Sequence, residues 1–470
     1  MDISVSRKDV FWNYVAQFFG IGAGFITLPL ILNKLSAEEV GMNYLMLSVS
    51  SLVALADFGF SDQFGRNITY VFSGAKKLEK EGVSLCNQNS GEVDYHLLSI
   101  VIATTRYIFK RLSLLVLFFM ISLGTLYIYG ATEGFSLVKY SFYIWLLFCM
   151  SVFFEMYFKY YNSLLVGAAM IMETKKAIIY NKSVYLLLCI SLITLGCGLF
   201  SIVFANLIAP FVGRWYSYRC FFTSEIKEKI GKWKPTKKDI LDTFDILWYN
   251  AKKLGINFVG AYGIQQSSTF IIGLYLPLAE VASYGLMCQL CNILTALSNG
   301  VFTTFMPMFS RQRVTKDITG LIRKYSFTQV VFFLLFISGS LFILFIVPPL
   351  VSFVSSSTRL PVFVVVLLYL TNQMFECFHS MAGCMIITNN EVPFVKAGLI
   401  TGISIVLLNL LSLQFTNLGL LGIVLGQILA SSLYNHWRWP KWIFDDLDIS
   451  FAKVITIGAK EIKLYVCQYL

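Results

Sequence analysis

Long uncharged stretches separated by charged loops recur along the whole chain. A helix needs about 20 residues to cross the hydrocarbon core of a bilayer. Two of the stretches are interpreted as two crossings each, joined by a bend at Gly196-Cys197-Gly198 in one and at 414–419 in the other. The pattern predicts twelve crossings, over 10–33, 40–56, 112–130, 140–167, 183–213 (two), 254–279, 281–310, 325–351, 360–388 and 397–437 (two).

The loop charges predict the topology. With the N-terminus inside the cell, all but three of the 37 Lys and Arg residues fall on the inner side, the exceptions being Lys34, Lys139 and Arg359. This asymmetry follows the positive-inside rule and predicts that both termini are cytoplasmic. The composition agrees, since 57% of residues are hydrophobic and 13% are charged, against roughly 25% charged in soluble domains. A soluble enzyme is thereby excluded, and the net charge of +11 reflects topology rather than nucleic-acid binding.

A charged segment divides the chain in the middle. Thr236-x-x-Asp239 has the spacing of a capping box, and Ile240, Phe244 and Trp248 then share one face at helical spacing. We expect an amphipathic helix that lies on the inner leaflet before turning into crossing seven. The predicted organisation is a six-helix lobe at 1–222, a cytoplasmic linker at 223–247, a second six-helix lobe at 248–440 and a cytoplasmic tail at 441–470.

The two predicted lobes carry similar landmarks. Ala37-Glu38-Glu39-Val40 precedes crossing two and Ala279-Glu280-Val281 precedes crossing eight, while Arg66 and Arg311 end these crossings. Such a repeat, with both halves starting inside, predicts a pseudo-two-fold axis along the membrane normal. The substrate path would then run between the lobes.

Amide side chains form stripes on the first two crossings of each lobe. Amides are costly against lipid, so these faces are expected to meet water or protein. One interpretation is an aqueous cavity shared by the four helices; the other is that small and polar residues hold helices together. The candidate cavity amides are Asn13, Gln17, Asn257, Gln265, Gln289, Asn292 and Asn299.

Several short motifs resemble the polysaccharide transporter family. They are the segment from Asn13 to Pro29, the residues 37–41, Asp57-Phe58-Gly59 ahead of Arg66, and 160–167. The chain is similar to O-antigen flippases of the Wzx type, in the multidrug/oligosaccharidyl-lipid/polysaccharide (MATE-like) superfamily. This resemblance implies an all-α, V-shaped fold of about twelve transmembrane helices, with a cavity lined by crossings one, two, seven and eight. It implies a bacterial inner-membrane flippase, not an enzyme, that moves an undecaprenyl-pyrophosphate-linked oligosaccharide to the periplasmic leaflet by alternating access. Membrane lipids and other polysaccharide-assembly proteins are the implied partners.

Cationic side chains could offset the desolvation of a pyrophosphate. The candidates near the cytoplasmic mouth are Arg66, Lys252, Lys253 and Arg311, followed by Lys159 and Arg214. Two of them have a simpler explanation as helical ion pairs four residues apart, Arg66 with Asp62 and Lys159 with Glu155.

The intramembrane acids are candidates for coupling transport to a proton or sodium gradient. A buried carboxylate can carry a proton, and Asp57 lies on a polar stripe while Glu376 stands three residues before His379. The chain has no P-loop motif for ATP. The three histidines, His96, His379 and His436, are expected to be scattered, so no metal site and no cofactor are predicted.

Three other functions stay open. A drug or cation antiporter of the same fold would favour an acidic cavity, whereas the candidate cations outnumber the acids here. A lipid II flippase generally has two more crossings. A membrane enzyme of polysaccharide assembly would need a long outer loop with catalytic residues, and the predicted outer loops are short.

Overall fold

The computed structural model describes residues 7–80, 93–354, 357–389 and 391–469, and within these ranges the secondary structure is helical, without strands. The chain forms two compact units, Met1–Phe258 and Val259–Leu470.

The first unit is built from α-helices joined by short breaks. A 3-10 turn, Leu55–Asp57, follows the second helix, and a π-helical turn, Met120–Gly124, follows the fourth. The helices are α1 Arg7–Lys34, α2 Ala37–Ala54, α3 Phe60–Phe72, α4 Tyr95–Phe119, α5 Thr125–Ala131, α6 Ser141–Tyr157, α7 Tyr160–Gly167, α8 Ile171–Thr194, α9 Leu199–Phe221, α10 Ser224–Gly231 and α11 Lys237–Gln265, whose last turns belong to the second unit.

The second unit continues the same pattern. Its helices are α12 Ser267–Tyr275, α13 Leu278–Val314, α14 Ile318–Phe345, α15 Val347–Phe353, α16 Phe363–Ile387, α17 Val395–Phe415, α18 Leu420–Ser432, α19 Asn435–Asp446 and α20 Phe451–Tyr469. The last helix, α20, packs on α14 so closely that a Cβ on Gly458 would lie 2.3 Å from the backbone oxygen of Ser326.

Each predicted crossing falls on one helix or on two consecutive helices. Eight helical segments of the described residues are long and apolar enough to cross a membrane: those at crossings two to six, eight, nine and eleven. The other four predicted crossings coincide with α1, α11–α12, α16 and α18–α19. The all-α, polytopic membrane fold is therefore confirmed.

The predicted bend between crossings five and six is confirmed. Gly196 and Gly198 adopt positive φ angles of 80° and 55°, which side chains with a Cβ rarely tolerate. Glu39 caps this bend, since its Oε1 accepts a hydrogen bond from the Leu199 backbone N–H at 3.1 Å. A Cβ on Gly198 would lie 2.4 Å from the same oxygen. The positive φ angle therefore favours glycine at this position, and a larger residue would also displace the Glu39 carboxylate.

The predicted capping box at the start of the linker helix is also confirmed. The Thr236 backbone N–H donates to Asp239 Oδ2 at 2.9 Å, and the Asp239 N–H donates to Thr236 Oγ at 3.2 Å. These hydrogen bonds hold the pKa of the Asp239 carboxyl below its usual value. The expectation that this helix turns before crossing seven is wrong, because α11 runs from the linker to Gln265 as one helix. No glycine or proline interrupts the linker after Pro235, so nothing in the sequence forces a turn.

The apolar face of the linker helix packs on protein. The rings of Phe244 and Trp248 stack on that of Phe60, with centroids 6.3 and 5.8 Å away, and Trp248 also contacts Phe58. The start of α11 is thereby fixed to the break between α2 and α3.

Candidate functional site

The first unit contains a partly open cavity of about 340 Å³. Its walls come from α2, from α6 with α7, from α8 and from α9, which are the second, fourth, fifth and sixth predicted crossings. The acidic and basic side chains in the wall are Glu155, Lys159, Lys182 and Arg214. The wall therefore holds three cations and one acid, and a second acid, Asp57, pairs with Lys159 from outside the wall.

Lys159 links this cavity to a break in the second crossing. Its Nζ lies 3.1 Å from Asp57 Oδ2, and the two side chains are 35% and 11% exposed. Asp57 ends the 3-10 turn, and the next two residues, Phe58 and Gly59, have left-handed φ angles of 45° and 76°. The other carboxylate oxygen accepts from the N–H and the hydroxyl of Ser61 at 3.2 and 3.0 Å. The interrupted helix thus presents a fixed carboxylate to a partly exposed ammonium.

Arg214 lies against two aromatic rings in the cavity wall. Its guanidinium lies over the rings of Phe158 and Phe211, 5.1 Å from each centroid, an arrangement in which the ring faces stabilise the charge. Its Nη1 is buried and has no hydrogen-bond partner among the described residues. A buried donor without a partner is costly, so an anionic ligand that placed an acceptor oxygen at this position would remove that cost.

Polar uncharged groups complete the wall. Five of these nine groups repeat at helical spacing on α8 and α9, which is a signal present in the sequence but not used in predicting the site, and the other four lie on α2, α6 and α7. The amides, hydroxyls and phenols are Ser50, Ser151, Tyr161, Asn162, Thr174, Asn181, Tyr185, Asn206 and Ser217. Of the charged wall residues, Lys182 was not predicted, and Lys159 and Arg214 ranked behind the mouth cations.

Both helical ion pairs suggested by spacing are wrong. Lys159 pairs with Asp57 rather than with Glu155, since the break after Asp57 brings a carboxylate from another helix within reach. The Nη2 of Arg66 donates to Gln63 Oε1, and no described ion pair joins Arg66 to Asp62.

The predicted mouth cations are not part of this cavity wall. Arg66 and Arg311 are exposed, and Lys252 is exposed with its Nζ 5.4 Å from the centroid of the Tyr249 ring. The side chain of Lys253 lies outside the described residues. The prediction that these four cations bind a pyrophosphate at the cytoplasmic mouth is not tested by their positions.

The predicted cavity amides are only partly described. The side chains of Asn13, Gln17 and Asn257 lie outside the described residues. The side chains of the other four predicted amides are described: Gln265 and Asn292 are exposed, while Gln289 and Asn299 are half-buried. An aqueous cavity lined by crossings one, two, seven and eight stays a prediction.

The second unit contains a cluster that the sequence analysis missed. Glu376 on α16 lies between two histidines: its Oε1 is 3.1 Å from His436 Nε2 and its Oε2 is 3.8 Å from His379 Nε2. The expectation that the histidines are scattered is therefore wrong for two of the three. The i, i+3 spacing of Glu376 and His379 was visible, but the partner 60 residues later was not.

A second group in this unit is a buried hydrogen-bond network. Ser268 Oγ accepts from Asn409 Nδ2 at 2.9 Å and from Gln427 Nε2 at 2.6 Å, and Gln427 also donates to the Tyr284 hydroxyl at 3.0 Å. These bonds join α12, α13, α17 and α18. They are an example of polar groups that hold membrane helices together.

Comparisons with known proteins bear on the fold. No protein-family model matches the chain, and no curated protein matches it. Among solved structures, the chain is similar to an inward-facing multidrug resistance MATE family transporter of the MOP superfamily, with a TM-score of 0.66 and 13% identity over 92% of this chain and 95% of that one. It is also similar to the lipid II flippase MurJ in an inward closed conformation (TM-score 0.63, 14% identity, 99% and 92% covered). A third structure, a single-residue mutant of the Vibrio cholerae MATE transporter VcmN, has a TM-score of 0.55 at 13% identity, with 94% and 97% covered. The fold is that of MATE-like transporters, as the resemblance implied.

Proposed function

We propose that this protein is a flippase for a lipid-linked oligosaccharide whose lipid carries a pyrophosphate, such as an O-antigen repeat unit on undecaprenyl pyrophosphate. The substrate would move from the cytoplasmic to the periplasmic leaflet of a bacterial inner membrane by alternating access, with both termini of the protein in the cytoplasm. The observation that carries the proposal is the cavity of the first unit, whose wall holds the cations Lys159, Lys182 and Arg214 and the acid Glu155. The cations still outnumber the acids when Asp57, the partner of Lys159, is counted. A cavity with this charge favours an anionic ligand over a cationic drug.

The cavity is of the right size and chemistry for a headgroup. Ligand pockets commonly enclose about 300–1,000 Å³, so 340 Å³ accommodates a diphosphate with an adjoining sugar rather than a polyprenyl tail. The guanidinium of Arg214 can donate to two phosphate oxygens at once, while the lysines act as point charges. The amides and phenols of the wall can bind sugar hydroxyls, and the tail can stay in the bilayer.

The ion pair of Lys159 suggests how the ligand is admitted. A pyrophosphate in the cavity competes with the Asp57 carboxylate for the Lys159 ammonium, 3.1 Å away. Exchange of that partner would free Asp57 at the break between α2 and α3. Because α11 packs on the same break through Phe60 and Trp248, binding would be transmitted to the start of the linker helix.

The mouth cations and the acids have proposed roles in the same cycle. Arg66, Lys252, Lys253 and Arg311 would collect the pyrophosphate from the headgroup region before it enters the protein. Asp57, once released by Lys159, could take up a proton or sodium ion and couple transport to a gradient. Glu376 is the corresponding candidate in the second unit.

Complementation tests the proposal. In a strain that lacks its O-antigen flippase, the wild-type chain should restore surface polysaccharide, and Arg214→Met or Lys182→Met should restore little. Lys175→Met is the matched control, since Lys175 lies on the same helix as Lys182 but does not line the cavity. Membrane levels of every variant are measured by blotting.

Two results would count against this function. One is full restoration by an Arg214→Met, Lys182→Met double variant at wild-type abundance. The other is resistance to cationic drugs conferred by the wild-type chain without any surface polysaccharide, which would favour the antiporter alternative.

A further inference from the structure

We infer that Glu376, His379 and His436 form a binding site for a divalent transition-metal ion of the zinc type. The inference concerns the second unit: a metal ion on Glu376 would exclude the ion-coupling role proposed for that residue and would leave the rest of the proposed function unchanged. It rests on the convergence of three ligand atoms from two places in the chain.

The three donor atoms are a Glu376 carboxylate oxygen and one ring nitrogen from each histidine, and they all lie within 4.8 Å of one another. Zinc binds nitrogen and oxygen ligands at about 2.0–2.2 Å in a tetrahedral arrangement, which places neighbouring ligand atoms about 3.4 Å apart. His436 Nε2 lies 3.1 Å from Oε1 and His379 Nε2 lies 3.8 Å from Oε2, the other oxygen of the same carboxylate, so each nitrogen has a carboxylate oxygen close to this separation. An ion could be seated with small side-chain movements.

Hydrogen bonding alone accounts for only part of this arrangement. The 3.1 Å contact of Glu376 with His436 is a hydrogen bond, but the 3.8 Å separation from His379 is too long for one. The Nε2 atoms of both histidines nevertheless lie beside the same carboxylate. A metal ion bound by the carboxylate and by both Nε2 atoms explains why the two rings have this orientation.

Charge favours a cation at this position. The side chains of Glu376, His379 and His436 are only 15%, 15% and 8% exposed, and among the described ion pairs Glu376 meets no Lys or Arg. A buried carboxylate requires compensation. A divalent ion supplies it while leaving both imidazoles neutral, the form in which histidine binds metals.

The surroundings of His436 resemble those of a metal ligand. Its other ring nitrogen, Nδ1, is 3.1 Å from the hydroxyl of Ser432, and its ring stacks on that of Phe375 with centroids 5.6 Å apart. A hydrogen bond to the second nitrogen fixes the ring orientation of metal-binding histidines. Since His436 follows the junction of α18 and α19, a bound ion would tie that junction to α16.

Metal binding to the purified full-length chain tests the inference. The protein carries an affinity tag without histidines, is stripped with a chelator and is titrated with Zn²⁺ against a chromophoric competitor. We expect one ion per chain in the wild type. Glu376→Gln, His379→Asn and His436→Asn should each weaken binding at least 100-fold. Ser432→Ala should weaken it about tenfold, the size found for groups that orient a ligand.

His96→Asn is the matched control, because His96 is the one histidine of the chain that lies outside the cluster. This variant should bind zinc as the wild type does. A wild-type chain without stoichiometric zinc, or equal binding by His436→Asn and the wild type, would overturn the site. If the variants do not fold, the Co²⁺ absorption spectrum of the wild type decides. Intense visible bands of a four-coordinate ion support the site, and the weak spectrum of hydrated Co²⁺ contradicts it.

Discussion

The ion pair of Asp57 and Lys159 offers a quantitative prediction. Asp57→Asn keeps the shape of the side chain and an oxygen that can accept from Ser61, so it removes chiefly the charge. Lys159→Met removes the partner charge and keeps most of the apolar stem. The two variants and their combination form a double-mutant cycle that isolates the pair.

The structure sets the expected size of the coupling. Two unit charges 3.1 Å apart attract by about 5 kcal/mol at an effective dielectric constant of about 20. Desolvation of both groups opposes this attraction. Lys159 is 35% exposed, and exposed pairs contribute about 1 kcal/mol or less. We therefore expect a coupling free energy of about 1–2 kcal/mol.

Two assays read the cycle. Unfolding of the purified chain by SDS in mixed micelles should give the coupling in the folded state. The second assay measures the affinity for a pyrophosphate lipid. Asp57→Asn lowers stability but removes the competitor for Lys159, so this affinity should rise. A coupling of about 1–2 kcal/mol corresponds to a rise of about 5–30-fold, since 1.4 kcal/mol is a factor of ten. Lys159→Met should lower affinity.

The control pair is Glu225 and Lys229 on α10, which is exposed and spaced i, i+4. A coupling between Asp57 and Lys159 no larger than in this control, together with unchanged lipid affinity in Asp57→Asn, would refute the exchange mechanism. Faster transport by Asp57→Asn would speak against a coupling role for this acid, because Asn cannot take up a proton.

Three further predictions concern the mouth, the packing and the topology. Arg66→Lys should be partly active and Arg66→Ala inactive in complementation at equal membrane abundance, because only arginine binds phosphate through two donors; equal activity would reduce Arg66 to a topology residue. Gly167→Ala should destabilise the chain by about 1–3 kcal/mol, since its Cβ would lie 2.6 Å from a backbone oxygen, whereas Gly130→Ala, with nothing within 4 Å of the new Cβ, should not lower the melting temperature. Reporter fusions after Glu225 should read cytoplasmic and those near Thr416 periplasmic; a reversed signal at either site contradicts the twelve-crossing topology.

Features that depend on neighbouring residues were predictable from the sequence. The Thr236 capping box involves partners three residues apart, and the bend at Gly196-Cys197-Gly198 follows from its two glycines, so local sequence identifies both. The cap that Glu39 places on this bend comes from 160 positions away and was not predicted. The helical crossings follow from the length of uncharged stretches, a constraint imposed by the bilayer rather than by tertiary packing.

Features that depend on distant residues were not predictable in the same way. Helical spacing suggested Glu155 as the partner of Lys159, but Asp57, about 100 positions earlier, lies 3.1 Å away. Likewise, His436 reaches Glu376 across 60 positions. The polar faces of α8 and α9 in the wall of the first-unit cavity could have been predicted, because their residues repeat at helical spacing in the sequence. The prediction considered only the polar faces of the first two crossings of each lobe and therefore missed them.

Flipping by the purified chain in liposomes tests the central claim most directly. A fluorescent pyrophosphate-linked oligosaccharide lipid is placed in both leaflets, and a membrane-impermeant quencher measures exchange between them under an imposed ion gradient. The account predicts that the wild-type chain makes the protected lipid accessible, that the Arg214→Met, Lys182→Met variant does not, and that Lys175→Met behaves as the wild type. Exchange at the rate of protein-free liposomes by a folded wild-type chain, or equal exchange by the double variant, would contradict it.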